Sequence, residues 1–233
     1  SKHKQRLVLW VREPLADLVR ALNEQRSVVT FWSSKLEQRR VYVSKADGSP
    51  LAESEFLRLP ESERENYHET TLDERYYYLT RYGTPLAYTR PLELVVQSTQ
   101  RPASNELGEM RILDFGYGGI GHLRVLASLG ADTVGVDVDP MLRALYSEPT
   151  DTGEVENLVE RRRGREGSIT LVEGQWPATQ EVRDAVGGGF NLILSKNTLK
   201  RGYVHPEQKV DPRRMVHLGV EDEAFVQAMF DAL

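Results

Sequence analysis

The 233-residue chain contains no cysteine. Disulfide scaffolds, thiolate zinc sites, iron–sulfur clusters and cysteine nucleophiles are therefore excluded. Long apolar runs are also missing: no stretch reaches the roughly 18 residues that a bilayer-spanning helix requires, so no membrane partner is expected. Nor is there an excess of positive charge. Thirty Lys and Arg stand against 35 Asp and Glu, and the net charge of -5 argues against a chain-wide attraction for nucleic acid. Histidine is sparse, and His3, His68 and His217 show no ligand spacing, so no metal site is expected. The first twelve residues are charged at the front and do not read as a signal peptide, which makes a cytoplasmic location the expectation.

What is present, 39% hydrophobic and 28% charged residues, suffices for one or two domains with a buried core. Composition divides the chain near residue 107. Residues 1–107 are rich in Glu, Arg and Tyr. Leu15, Leu18, Val19 and Leu22 recur at helical spacing, and Val41-Tyr42-Val43 before Asp47-Gly48 predicts a short hairpin.

Residues 108–233 have another texture. Apolar runs at 111–115, 133–137, 169–172 and 190–195 alternate with helical stretches at 120–129, 141–146 and 179–186. Gly130 caps the first helix, and Asp139-Pro140 opens the second. Strand and helix in alternation, with near-continuous apolar strands, predict an α/β, doubly wound, Rossmann-like parallel sheet. The charged stretch 154–167, with Arg161, Arg162, Arg163 and Arg165, reads as a solvated helix end.

The chemistry lies in Asp114-Phe115-Gly116-Tyr117-Gly118-Gly119-Ile120-Gly121. Glycines at 116, 118 and 121 allow a sharp turn at a strand end and close approach of a ligand, and the following helix N-terminus adds donor N–H groups. A tight turn without any ligand is the plain alternative. Asp137 ends the next strand about 20 residues on, where a carboxylate accepts hydrogen bonds from a ribose diol. Asp114 lies two places before the first glycine. A pyrophosphate would be repelled by a carboxylate there, whereas a sulfonium or ammonium would be attracted, so a cationic nucleoside is favoured over a dinucleotide.

In order and spacing, Leu113 to Gly118, Val136 to Leu142, Leu171 to Gln175 and Phe190 to Ser195 resemble the class I S-adenosylmethionine-dependent methyltransferases. The resemblance covers Arg111 to about Ser195. It implies S-adenosyl-L-methionine as cofactor, with Asp114, Gly116, Tyr117, Gly118 and Gly121 at its amino-acid end, Asp137 and Val138 at the ribose, Gln175 beside the adenine, and Ser195 at the end of the fourth strand. Trp176 either stacks on the purine or packs in the core. The chain departs from the family pattern at Ile120, where a third glycine is usual, and at Gln175, where an acid is common. It also lacks the Asn/Asp-Pro-Pro-aromatic box of members that methylate amino groups of nucleic-acid bases. The resemblance further implies three strands after the fourth. None is legible after Ser195, so the sheet is expected to be incomplete at its C-terminal side, followed by a helix over 221–233.

Methyl transfer requires positioning and, for a hydroxyl or protonated amine, removal of a proton. His205 and Tyr203 are the candidates for that step in the loop beyond Ser195, though a histidine before proline also commonly packs as a loop residue. Lys196, Lys200 and Arg201 read either as a clamp for an acidic acceptor or as solvated loop charges. The resemblance also implies that residues 1–107 form a mainly helical cap or lid over the site, with Tyr82 and Tyr88 lining an acceptor pocket; the plain alternative is that these tyrosines pack one helix on another. His122, at the start of the first helix, reads as structural. The leading expectation is a methyltransferase acting on O or N of a small molecule, with a homodimer allowed. A protein or RNA methyltransferase is the first alternative, and a non-catalytic nucleoside-binding domain the second.

Overall fold

The computed structural model describes residues 38–72, 107, 110–156, 166–195, 198–199, 205, 207, 211 and 222–233. The helical spacing at 15–22 and the tyrosines at 76–88 lie outside them.

In residues 38–72 the alternation of polar and apolar side chains produces a small antiparallel sheet. Strand β1 (Arg39–Ser44) turns through Asp47 and Gly48 into β2 (Pro50–Ala52). Two single helical turns, α1 (Glu53–Phe56) and α2 (Glu61–Arg64), lead to β3 (Tyr67–Leu72), which returns along β1. The turn is held by Asp47, whose Oδ1 accepts from Ser49 N–H at 3.0 Å. Val41 and Val43 point one way, into a shared core, while Tyr42 points the other way and stacks on Phe56 at 3.6 Å. In this stretch strand outweighs helix, because β3 supplies the pairing that a lone hairpin lacks.

The larger unit runs β4 (Arg111–Phe115), α3 (Gly121–Ser128), β5 (Asp132–Asp137), α4 (Pro140–Leu145), β6 (Gly153–Val155), β7 (Gly167–Glu173), α5 (Gln180–Val186), β8 (Leu192–Leu194) and α6 (Asp222–Ala232). Its five strands are ordered β6-β7-β5-β4-β8. β7, β5, β4 and β8 are parallel, and β6 joins β7 antiparallel. The sheet is therefore mixed rather than wholly parallel. The start of the charged stretch, read as a helix end, is its antiparallel edge strand.

Local signals explain the helix starts. Asp139 Oδ1 caps α4 by accepting from Met141 N–H at 2.9 Å, and Thr179 Oγ1 caps α5 by accepting from Val182 N–H at 3.3 Å. Side chains of the central strands alternate between faces. Leu113, Phe115, Val134 and Val136 join Val186 of α5 and Phe225 of α6 on one face, while Ile112 packs with Val125 and Leu126 of α3 on the other. All eight residues of α3 are buried, the polar His122, Arg124 and Ser128 included.

The two sheets share one core. Val41 and Leu72 pack with Leu123 of α3, Leu142 and Leu145 of α4 and Ile169 of β7. A buried charge node reinforces the contact: Asp151 accepts from Arg39 Nη2 at 2.8 Å, Arg124 Nη2 at 2.7 Å and the Glu148 N–H at 2.9 Å. Among the described residues no helix is long and apolar enough to cross a membrane.

Candidate functional site

β4 has β5 on one side and β8 on the other, so the winding direction reverses there. In an open α/β sheet, the crevice beyond the carboxyl ends at such a reversal is where ligands bind. The glycine loop leaves β4 at that place.

Gly116 N–H donates to the Val136 carbonyl at 2.8 Å, which ties the start of the loop to β5. Gly116 has φ +75°, and a Cβ there would collide with the Thr198 side chain. Glycine is thus required both by the turn and by the close approach of the segment beyond β8. Gly118 N–H donates to Asp137 Oδ2 at 3.1 Å, and Asp139 N–H donates to Asp137 Oδ1 at 3.1 Å. One carboxylate therefore fastens the loop to the end of β5 and to the start of α4. Burial pushes the Asp137 carboxyl up to about 6, against the opposing pull of those backbone donors.

Asp114, on the α3 face of β4, is fully buried. Its Oδ2 is hydrogen-bonded to Nε2 of His122, the second residue of α3, which is also buried. Its Oδ1 has no hydrogen-bond partner. At the same edge, among the described residues, Gln175 Nε2, just past the end of β7, and Ser195 Oγ, just past β8, are also buried without a hydrogen-bond partner. All three stand at or beyond the carboxyl halves of parallel strands. Buried polar atoms are nearly always hydrogen-bonded, so three without partners at one edge of a sheet are an exception that calls for a ligand or water.

The remaining expected site residues fall in several places. Gly121 is the first residue of α3 and Val138 follows β5, and both are buried. Tyr117 turns inward rather than toward the crevice. Its ring lies against Gly135 and near Tyr146, with centroids 6.5 Å apart. Trp176 packs in a core cluster. It is 5% exposed and lies 6.0 Å from the Phe115 ring and 6.1 Å from the Phe225 ring. His205 is exposed and contacts Asp222, at the start of α6, at 3.0 Å. Tyr203, Lys196, Lys200, Arg201, Tyr82 and Tyr88 lie outside the described residues. No group of three or more His, Asp or Glu among the described residues is arranged to hold a metal ion.

Two features escaped the reading of the sequence. The Asp114–His122 pair was implicit in the strand–turn–helix pattern, because a helix returning along its strand brings its first turn behind the strand's last residues. Thr198 carried no signal, since only the pairing of β4 with β8 brings it to Gly116.

No protein-family model matches the chain, and no curated protein sequence matches it either.

Proposed function

We propose that this chain is an S-adenosyl-L-methionine-dependent methyltransferase that moves a methyl group to O or N of a small molecule by in-line displacement. The observation that carries the reading is the edge formed by Asp114, Gln175 and Ser195, whose partnerless buried atoms frame a glycine loop fastened by Asp137. An uncommitted carboxylate oxygen two residues before the loop suits a cationic end group and disfavours a diphosphate. Asp137 keeps lone pairs for a ribose diol, and the Gln175 amide offers a donor to a ring nitrogen of a base. The acceptor's place is the space beyond β4 and β8, with His205 and Tyr203 as the residues to test for the proton step. The net charge of -5 supports a small acceptor rather than nucleic acid.

Calorimetric titration of the chain with S-adenosylmethionine, S-adenosylhomocysteine and NAD tests this. The two adenosyl compounds should bind and NAD should not. Binding of NAD alone would overturn the reading.

A further inference from the structure

The Asp114–His122 pair differs from the other charged contacts of this molecule. Both members are buried almost completely, at 0% and 1% exposure, and they sit directly behind the glycine loop. Other buried ionic contacts near the loop bind the fold together, as Asp151 does with Arg39 and Arg124. The Asp114 carboxylate instead has one oxygen answered by His122 and the other by nothing.

Among the described residues, ionisable groups on the elements around His122 have bonds of their own. Arg111, at the opposite end of β4, bonds the Gly188 and Val186 carbonyls. Asp132, at the opposite end of β5, accepts from Ser168 Oγ at 2.9 Å. Arg124, two residues further along α3, bonds Asp151, and Asp137 accepts from Gly118 and Asp139 N–H. β8 carries no ionisable side chain. His122 Nε2 is bonded to Asp114 Oδ2.

We infer that His122 is a positioning residue that sets ligand specificity: by holding Asp114 Oδ2 it leaves Oδ1 as a single acceptor for an ammonium group on the bound nucleoside. The inference rests on the reading of a cationic adenosyl ligand and adds the device that selects its charged end. A carboxylate can only accept, so Nε2 carries the hydrogen when Asp114 is ionised. The ionised carboxylate attracts the ammonium. Removing the donor would leave a fully buried carboxylate without support, and such a group takes up a proton rather than remain charged.

The test compares two probes, S-adenosylhomocysteine and 5′-methylthioadenosine, which share the nucleoside and thioether and differ in the ammonium-bearing amino-acid end. The ratio of their affinities reads the amino-acid end, where the ammonium would meet Asp114, and cancels effects at Asp137, which would touch only the shared part. The unaltered chain should prefer S-adenosylhomocysteine. His122→Gln keeps an N–H donor, so it should retain the preference. His122→Leu should reduce the preference about tenfold, the scale of one hydrogen bond to a charged group. If His122→Leu does not fold, His122→Phe, of similar volume and without a donor, decides. A ratio unchanged by His122→Leu or His122→Phe would overturn the role of His122 while leaving the cofactor reading intact. Failure of both probes to bind the unaltered chain would overturn the cofactor reading, and this inference with it.

Discussion

Asp137 is buried where its charge is costly, and its chemistry follows from that. Its carboxyl is raised from 3.8 to about 6 by loss of water. The protonated form therefore stabilises the folded chain, fully below pH 3.8, and this contribution is lost as pH rises through about 6. Hydroxyl donors from a ribose would favour the ionised form. The affinity for 5′-methylthioadenosine is accordingly expected to fall as pH drops through about 6. Asp137→Asn should bind about tenfold more weakly, on the scale of a lost charge-assisted hydrogen bond, and without that pH dependence. Calorimetry on both sides of the transition reads these quantities, and a pH-independent affinity in the unaltered chain would remove Asp137 from the ligand. The chain's pattern disclosed this residue because strand end, loop spacing and carboxylate coincide. It could not disclose which way Trp176 faces, since that depends on Phe115 and Phe225, distant in sequence and meeting only in the folded core.

At the scale of elements, β4, α3, β5, α4 and α5 were legible because their signals are local: apolar runs for the strands, Asp139-Pro140 and Thr179 for the helix starts. β6 was not, because Gly-Glu-Val has no periodicity of its own and becomes a strand only by pairing with β7. β3 was hidden in the same way within a charged, tyrosine-bearing stretch, and β1 supplies its register. The glycine loop joins the two cases. Its turn was readable, but the packing of Thr198 on Gly116 was not. Gly116→Ala should cost about 1–2 kcal/mol for the left-handed backbone alone, and more for the collision with Thr198. Adding Thr198→Gly should return the second part and not the first, so thermal denaturation of the single and double variants separates dihedral strain from steric conflict. Equal destabilisation in both backgrounds would mean that Thr198 does not press on the loop.

At the scale of the whole molecule, among the described residues, the small sheet and the five-stranded sheet share one core, because Val41 and Leu72 complete the core under α3 and α4 and Asp151 joins Arg39 to Arg124. Removing the carboxylate would leave two guanidiniums at the junction with no counter-charge from Asp151. Asp151→Ala is expected to destabilise the chain by about 3–5 kcal/mol, as for other broken buried ion pairs. Urea denaturation should show one shifted transition, and an unchanged midpoint would mean that the node contributes no stability. The five-stranded sheet presents the carboxyl ends of β5, β4 and β8 as one edge, and the proposed activity depends on what that edge holds. The most direct measurement is a crystal structure of the chain grown with S-adenosylhomocysteine. The account predicts ribose hydroxyls on Asp137 and the ligand's ammonium on Asp114 Oδ1. A crevice filled by side chains, or a ligand seated elsewhere on the molecule, would contradict it.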